Sequence, residues 1–136
     1  MVRPCRPAEI PVVLALWHAA EVVPSVSDDA DSLRRLLDTS DDALLVAEMD
    51  GHLVGTLIAA WDGWRGNLYW LAVLPGWRRR GIARQLIAEG ERRLASKGVV
   101  RVSALALTEH AAAVGLWLAA GYQRDRRVGR FVKSLV

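Results

Sequence analysis

Apolar positions recur along the chain with two different periods, and the switches between them mark the elements. Ile10, Val13, Leu14 and Trp17 fall at helical spacing and give way to polar Glu21, which predicts a helix over 8–21. Pro7 or Ala8 stands near its start and Pro24 ends it. Leu33, Leu36 and Leu37 share one face of a second helix within 29–38. The period then changes. Residues 43–49 form an apolar run closed by Asp50-Gly51, a strong hairpin turn, and 52–61 form the return strand. Asp62-Gly63 opens a second turn that reaches Gly66, and 67–74 make a third strand, stopped by Pro75-Gly76. Ile82, Leu86, Ile87 and Leu94 lie on one side of a helix over 81–96, with Gly98 where a C-terminal cap belongs. A strand over 99–107, a short helix over 111–120 ended by Gly121, and an alternating strand over 128–135 complete the pattern.

The predicted order is α-α-β-β-β-α-β-α-β. Residues 67–107 are a strand–helix–strand crossover, expected to be right-handed with parallel strands. The preceding hairpins require antiparallel pairing. The fold class is therefore α/β, a mixed sheet with helices on its faces. Nothing reads as a linker, a repeat or a low-complexity tract. A length of 136 residues suits one domain, so 1–136 is expected to be a single unit.

Composition removes several function classes. With 52% hydrophobic and 24% charged residues, the chain can build a core and is not of the disordered type. Its longest nearly charge-free apolar run, 111–122, is too short for the roughly 20 residues of a membrane span. Arg3 and Arg6 ahead of the apolar stretch 10–20 look superficially like a secretory leader. Pro11 and His18 interrupt that stretch, so it reads as a helix and the expected compartment is the cytoplasm. A lone Cys5 supports neither an intrachain disulfide nor a thiolate zinc cluster, and no His or carboxylate spacing suits a metal. The net charge of +3 is too small to argue for nucleic acid. A module binding nucleic acid through 78–80 and 124–130 is thus the least favoured alternative. Apart from Lys97 and Lys133, the positive charge is all arginine, whose fixed fork of donors suits phosphate; codon usage explains the bias as well.

The chemical signal lies in Leu71-Ala-Val-Leu-Pro-Gly-Trp-Arg-Arg-Arg-Gly-Ile-Ala-Arg84. A strand ends, a loop carries three arginines, and a helix begins at glycine. Helix N-termini hold unpaired N–H groups and partial positive charge, which cradle phosphate or pyrophosphate. Gly81 and the small Ala83 admit a ligand close to the backbone, and Arg78, Arg79, Arg80 and Arg84 can neutralise it. Neither the Gly-x-x-x-x-Gly-Lys loop of nucleoside triphosphatases nor the dinucleotide Gly-x-Gly-x-x-Gly is present.

Arg78-Arg-Arg-Gly-Ile-Ala83 resembles the Arg/Gln-x-x-Gly-x-Gly/Ala signature of the GNAT superfamily of acyl-CoA N-acyltransferases. Leu71-Ala-Val-Leu-Pro75 looks like that family's central strand. Thr108 to Tyr122 is similar to its Glu-Asn-x-x-Ala-x-x-Leu-Tyr-x-x-x-Gly-Phe/Tyr segment. Val46 to Gly55 looks like its first hairpin, and Trp61-Asp-Gly-Trp-Arg-Gly66 resembles a turn in a small bacterial subgroup. The resemblance runs over essentially the whole chain. It implies a GNAT fold whose parallel strand pair splays apart at Val73.

The resemblance further implies an N-acetyltransferase that moves an acetyl group from acetyl-CoA to a primary amine by direct attack. The acceptor would be a small molecule or a peptide; neither nucleic acid nor a membrane takes part, and homodimers are common in the family. Backbone N–H groups from Arg79 through Gly81, Ile82 and Ala83 to Arg84 would hold the pyrophosphate. Pantetheine would pair with Leu71 and Val73 as an added strand. A backbone N–H there would stabilise the oxyanion, an effect worth about 3 kcal/mol.

Several positions depart from the family pattern. Asn67 stands where a Glu base is frequent and cannot act as one. Tyr69, on the same strand face, can reach the acceptor, and Glu21 and Glu48 are further candidate bases. Trp117 replaces the Tyr that donates a proton to the leaving thiolate; an indole N–H donates a hydrogen bond but no proton. His110 replaces the Asn that contacts pantetheine and can also shuttle a proton. These departures keep open an alternative, a catalytically weak CoA-binding module. His18 and His52 read as bystanders, and Trp17 and Trp70 as core. Trp61 and Trp64 flank a turn near the family's acceptor entrance, where an aromatic pocket, a packed turn and a dimer contact fit equally well.

Overall fold

The structure, a computed structural model, describes residues 1–20 and 28–136. Glu21 and Pro24 lie outside the described residues. The elements are β1 (Val2–Pro4), α1 (Ile10–Ala19), α2 (Ala30–Thr39), β2 (Leu44–Met49), β3 (His52–Trp61), β4 (Gly66–Val73), α3 (Ile82–Ser96), β5 (Val102–Ala104) and α4 (Ala111–Ala119). They fall into two compact units, Met1–Leu105 and Ala106–Val136.

The first unit is organised by two hairpins. Asp50 and Gly51 both take positive φ, 52° and 79°, the mirror-image turn that matches strand twist, and Met49 pairs with His52 across it. At the second hairpin, Asp62 Oδ1 accepts from the backbone N–H groups of Trp64 (2.9 Å) and Arg65 (2.8 Å). These bonds hold its carboxyl below the usual carboxylate range. The sheet order is β1-β2-β3-β4-β5, antiparallel throughout except for the parallel β4–β5 pair.

Helices cover both faces of this sheet. On one face α1 and α2 bury Ile10, Val13, Leu16, Trp17, Leu33 and Leu37 against Leu44, Val46, Ile58 and Ala72. Asp29 caps α2 by accepting from Ser32 N at 2.7 Å. On the other face α3 buries Ile82, Leu86, Ile87 and Leu94. Gly90 permits its close approach: a Cβ there would stand 3.1 Å from Leu57 Cδ2 and 3.4 Å from the Ala59 and Leu68 side chains.

Three differences from the sequence pattern have physical causes. β1 is not predicted; three residues containing Pro carry no period, and they form an edge strand that pairs Val2 with Ala47. β5 is far shorter than 99–107, because its ladder with β4 covers only Gly66 to Leu68. The expected strand over 128–135 is absent. The second unit contains no strand to pair with it, and alternation without a ladder partner does not make a strand. Phe131 (97% exposed) and Leu135 (92%) stand in solvent. Among the described residues, no helix is long and apolar enough to cross a membrane.

An ion-pair network ties β1 to its neighbours. Arg3 contacts Glu9 Oε2 and Glu48 Oε1, each at 2.7 Å. The guanidinium pushes the Glu9 carboxyl down to about 2 from an ordinary value of 4.5. Glu9 therefore stabilises the fold above pH 4.5, and that contribution is lost as pH falls toward about 2. Denaturant midpoints of the native chain and Glu9→Gln should differ at neutral pH and differ by less at about pH 3, converging as pH falls to about 2. Equal gaps at both pH values would show that the pair does not carry this stability. Gly90→Val should lower stability by about 1–3 kcal/mol through overpacking, read as a drop of several degrees in Tm.

Candidate functional site

The site is built on an irregularity in β4. Thr56 pairs with Ala72 and Ile58 with Tyr69, so Trp70 and Leu71 together oppose Leu57 alone. This is a β-bulge, and Trp70 takes φ 52°, a left-handed backbone rare for a bulky residue. Thr56, the buried polar residue among the apolar ones of β3, holds the bulge from beneath. Its hydroxyl donates to Trp70 O at 3.1 Å and accepts from Trp17 Nε1 at 2.8 Å. The Trp17 and Trp70 rings stack with centroids 4.6 Å apart and planes at 15°.

The bulge changes which backbone groups face outward. Gly66 N donates to Arg101 O and Leu105 N donates to Leu68 O, so residues 66 and 68 turn toward β5. Beyond the bulge Ala72 pairs with Thr56 and Leu74 N donates to Val54 O, so residues 72 and 74 turn toward β3. By alternation, Leu71 and Val73 turn their N–H and C=O groups away from β3. Unbulged, they would face it. The β4–β5 ladder ends at Leu68, so this stretch of edge lies beyond the paired residues. The parting of the two strands thus begins nearer Leu68 than Val73.

The edge leads directly into the arginine loop. Arg78 Nε donates to Val73 O at 3.0 Å and fastens the loop to the strand. Arg80 lies over the Trp77 ring at 4.8 Å. Arg79 (φ 63°) and Gly81 (φ 80°) both take left-handed backbone, and Gly81 caps α3. A Cβ on Gly81 would meet nothing within 4 Å, so conformation and not crowding requires glycine there. The first bond within α3 is Gln85 N to Gly81 O, which leaves the N–H groups of Ile82, Ala83 and Arg84 ahead of the ladder. Ile82 anchors this turn by burying its side chain, while Arg78, Arg79, Arg80 and Arg84 are exposed. These residues gather where a pyrophosphate-bearing ligand can be held, with extended backbone beside it.

A cavity of about 310 Å³ lies on the α1 face of the bulge, lined by Leu14, Trp17, His18, Asp28, Asp29, Ala30 and Trp70. Trp70 Nε1 donates to Asp28 Oδ1 at 2.9 Å. Tyr69 is half-buried and packs with Trp70 against the core on this same face. Consecutive strand residues normally point to opposite faces; the bulge brings these two together.

The other candidates are dispersed. Glu48 is engaged by Arg3 and serves the fold. His110 is the exposed N-cap of α4, without a side-chain cap bond, and Trp117 packs edge-on to Tyr122 at 5.1 Å, both in the second unit. Trp61 and Trp64 are exposed at the β3–β4 turn, near Lys97 and Arg65 respectively, and neither lines the cavity. Trp17 lies in the core and Trp70 packs against it, as the sequence assigns them; both also line the cavity, with His18, which the sequence reads as a bystander. The signals available were Thr56, a polar residue inside the apolar run of β3, and Asp28-Asp29 ahead of α2. Among the described residues, no group of three or more His, Cys, Asp or Glu side chains is placed to hold a metal.

Comparison with known proteins places this geometry. The chain is 31% identical over 116 residues to an acetyltransferase of Pectobacterium atrosepticum, covering 85% of this chain and 82% of that protein. It is 37% identical over 102 residues to an acetyltransferase of Photorhabdus laumondii, covering 74% and 71%. Its fold is shared with an aminoglycoside N-acetyltransferase crystallised with CoA, at TM-score 0.75 and 24% identity over 98% of this chain and 93% of that one. It is also shared with Ard1 of Thermoplasma volcanium, at TM-score 0.79 and 16% identity over 89% and 80%. The model of the acetyltransferase (GNAT) family matches residues 13–122. The bulged strand, the arginine loop and the glycine-capped helix all lie within that match, and the chain belongs to the GNAT family of N-acetyltransferases.

Proposed function

We propose that this chain transfers an acetyl group from acetyl-CoA to a primary amine by direct attack, with 1–136 as one acetyltransferase domain. The observation that carries the reading is the outward-turned edge at Leu71 and Val73, continuous with the Gly81-capped N-terminus of α3. An extended chain ending in a pyrophosphate fits both parts at once. Backbone at Leu71 and Val73 would pair with its amide groups. The N–H groups of Ile82, Ala83 and Arg84 would receive the phosphates, and Arg79, Arg80 and Arg84 would neutralise them. Arg78 already bonds Val73 O, so its task is to hold the loop against the strand.

Acetyl-CoA supplies an activated thioester; the chain's task is to aim an amine at it and remove a proton. An alkyl ammonium, with a pKa near 10, has no lone pair to attack with until deprotonated. Tyr69 is the candidate proton acceptor on the face of β4 that carries the cavity. His110 is the second candidate, and its role, like that of Trp117 near the leaving sulfur, rests on the motif of its segment. As the nitrogen–carbon bond forms, the carbon–sulfur bond breaks and its electron pair leaves on sulfur. A thiol pKa of about 8.5 makes that thiolate a tolerable leaving group without an acid.

Calorimetry on ligand-free protein should give micromolar binding of acetyl-CoA, and thiol release should follow when a suitable amine is added. Gly81→Val should weaken acetyl-CoA binding at least about tenfold with the fold retained. A branched residue at that φ costs more than 1 kcal/mol and would draw the cap out of place. Unchanged affinity in the folded variant would remove α3 from the binding site.

A further inference from the structure

We propose that Thr56 is a positioning residue for acetyl transfer: its hydroxyl, oriented by Trp17, holds β4 in the bulged register that presents the backbone of Leu71 and Val73 to acetyl-CoA. The inference rests on acetyl transfer as proposed above and assigns part of its control to a side chain buried beneath the reacting edge.

The direction of the relay is forced by its end groups. An indole N–H only donates and a peptide carbonyl only accepts. Set 2.8 Å from Trp17 Nε1 and 3.1 Å from Trp70 O, the Thr56 oxygen must accept from the first and give its proton to the second. Trp17 therefore orients the hydroxyl: it occupies a lone pair and leaves the proton pointing at the Trp70 carbonyl. The orienting group is itself fixed, since Trp17 is buried on α1 and its ring stacks on that of Trp70.

Stability alone does not ask for this arrangement. Thr56 is the buried polar side chain among the described residues. A valine of the same shape at 56 and a phenylalanine at 17 would fill the same core with no polar group to satisfy. What that pair could not do is hold the Trp70 carbonyl. Trp70 stands in the bulge with φ 52°, where the regular ladder is broken and its backbone needs another partner. The hydroxyl supplies that partner.

The consequence reaches the binding edge through parity. With the bulge, Ala72 and Leu74 turn toward β3, and Leu71 and Val73 turn away. Without it the two pairs exchange roles. An extended ligand would then meet Ala72 and Leu74, displaced by one residue, about 3.3 Å, along the strand. The N-terminus of α3 would not move with it, so one ligand could no longer fit both parts.

The test uses Thr56→Val, which keeps the shape and removes the hydroxyl, Thr56→Ser, which keeps the hydroxyl, and the double variant Trp17→Phe, Thr56→Val. In ligand-free native protein, amide hydrogen exchange at Leu71 and Val73 should be faster than at Ala72 and Leu74. Thr56→Val should reverse or erase that order and weaken acetyl-CoA binding, measured by calorimetry, at least about tenfold. Thr56→Ser should keep the native order and stay within about threefold of native affinity. The double variant leaves no indole N–H unpaired at 17, so it should regain part of the stability lost in Thr56→Val yet bind as weakly. A purely structural role requires affinity to return with stability. Should Thr56→Val fail to fold, the double variant carries the same comparison. A different order in the native protein, an order indifferent to Thr56→Val, native affinity in that variant, or affinity restored in the double variant would overturn the proposal. The exchange measurement contains no acetyl-CoA and so separates the two inferences. An order reversed by Thr56→Val in a chain that binds no acetyl-CoA sinks the acetyl-transfer reading and leaves the hold on the register. Native binding of acetyl-CoA beside an order that ignores Thr56 sinks the positioning role alone.

Discussion

The hydroxyl of Thr56 fixes the register on which the rest of the site depends. It is fully buried, and it both accepts from Trp17 and donates to the carbonyl of Trp70. A left-handed tryptophan costs about 1–2 kcal/mol. One buried and one part-buried hydrogen bond at about 0.5–1.5 kcal/mol each, with a stacked indole pair of similar worth, are enough to outweigh that cost. Without them β4 would relax into regular pairing with β3. Leu71 and Val73 would then turn toward β3, and the edge facing the α3 N-terminus would present other residues. One side-chain oxygen in β3 thus helps decide which backbone groups of β4 turn away from β3.

Close packing on the opposite face determines where the helix terminus sits. Gly90 brings α3 against Leu57, Ala59 and Leu68, while Ile82 is buried at its first turn. The helix start is held from both ends of the loop: Ile82 sinks into the core and Arg78 bonds the Val73 carbonyl. A helix terminus offers an anion only a few oriented N–H groups, so its usefulness depends on being held still relative to the strand beside it. Here strand, loop and helix are joined by a buried side chain and a charge-assisted bond, which leaves the remaining arginines exposed for a ligand.

Most of this architecture is legible in the sequence, for local reasons. Asp50-Gly51 and Asp62-Gly63 are turn signals with a backbone mechanism, and the 3.6-residue period of α3 is carried by large apolar residues. The loop from Arg78 to Gly81 declares itself because glycine and arginine do different jobs there. The α1 face of the bulge is not legible in the same way. Trp70 sits in a run of strand formers, and nothing local says that it is an inserted residue; that depends on Thr56, whose hydroxyl meets it only after β3 and β4 pair. Trp17 and His18 are neighbours on α1 and both border the cavity, yet one is buried and the other exposed, a split set by the packing of α1 on the sheet. The strand expected over 128–135 shows the converse: a correct local pattern is silent without a partner strand.

Trp70 therefore serves two functions that a regular strand could not combine. In unbroken pleat, a residue offers its side chain to one face and its backbone groups to a neighbouring strand. The bulge breaks that link. It turns the backbone groups of the next residues away from β3 and keeps two successive aromatic side chains, Tyr69 and Trp70, on the α1 face. In the proposed reaction the amine and the acyl donor would then meet along one strand, with no loop between them to blur the distance. Trp70 also bonds Asp28 through its indole N–H, which ties the bulge to the start of α2.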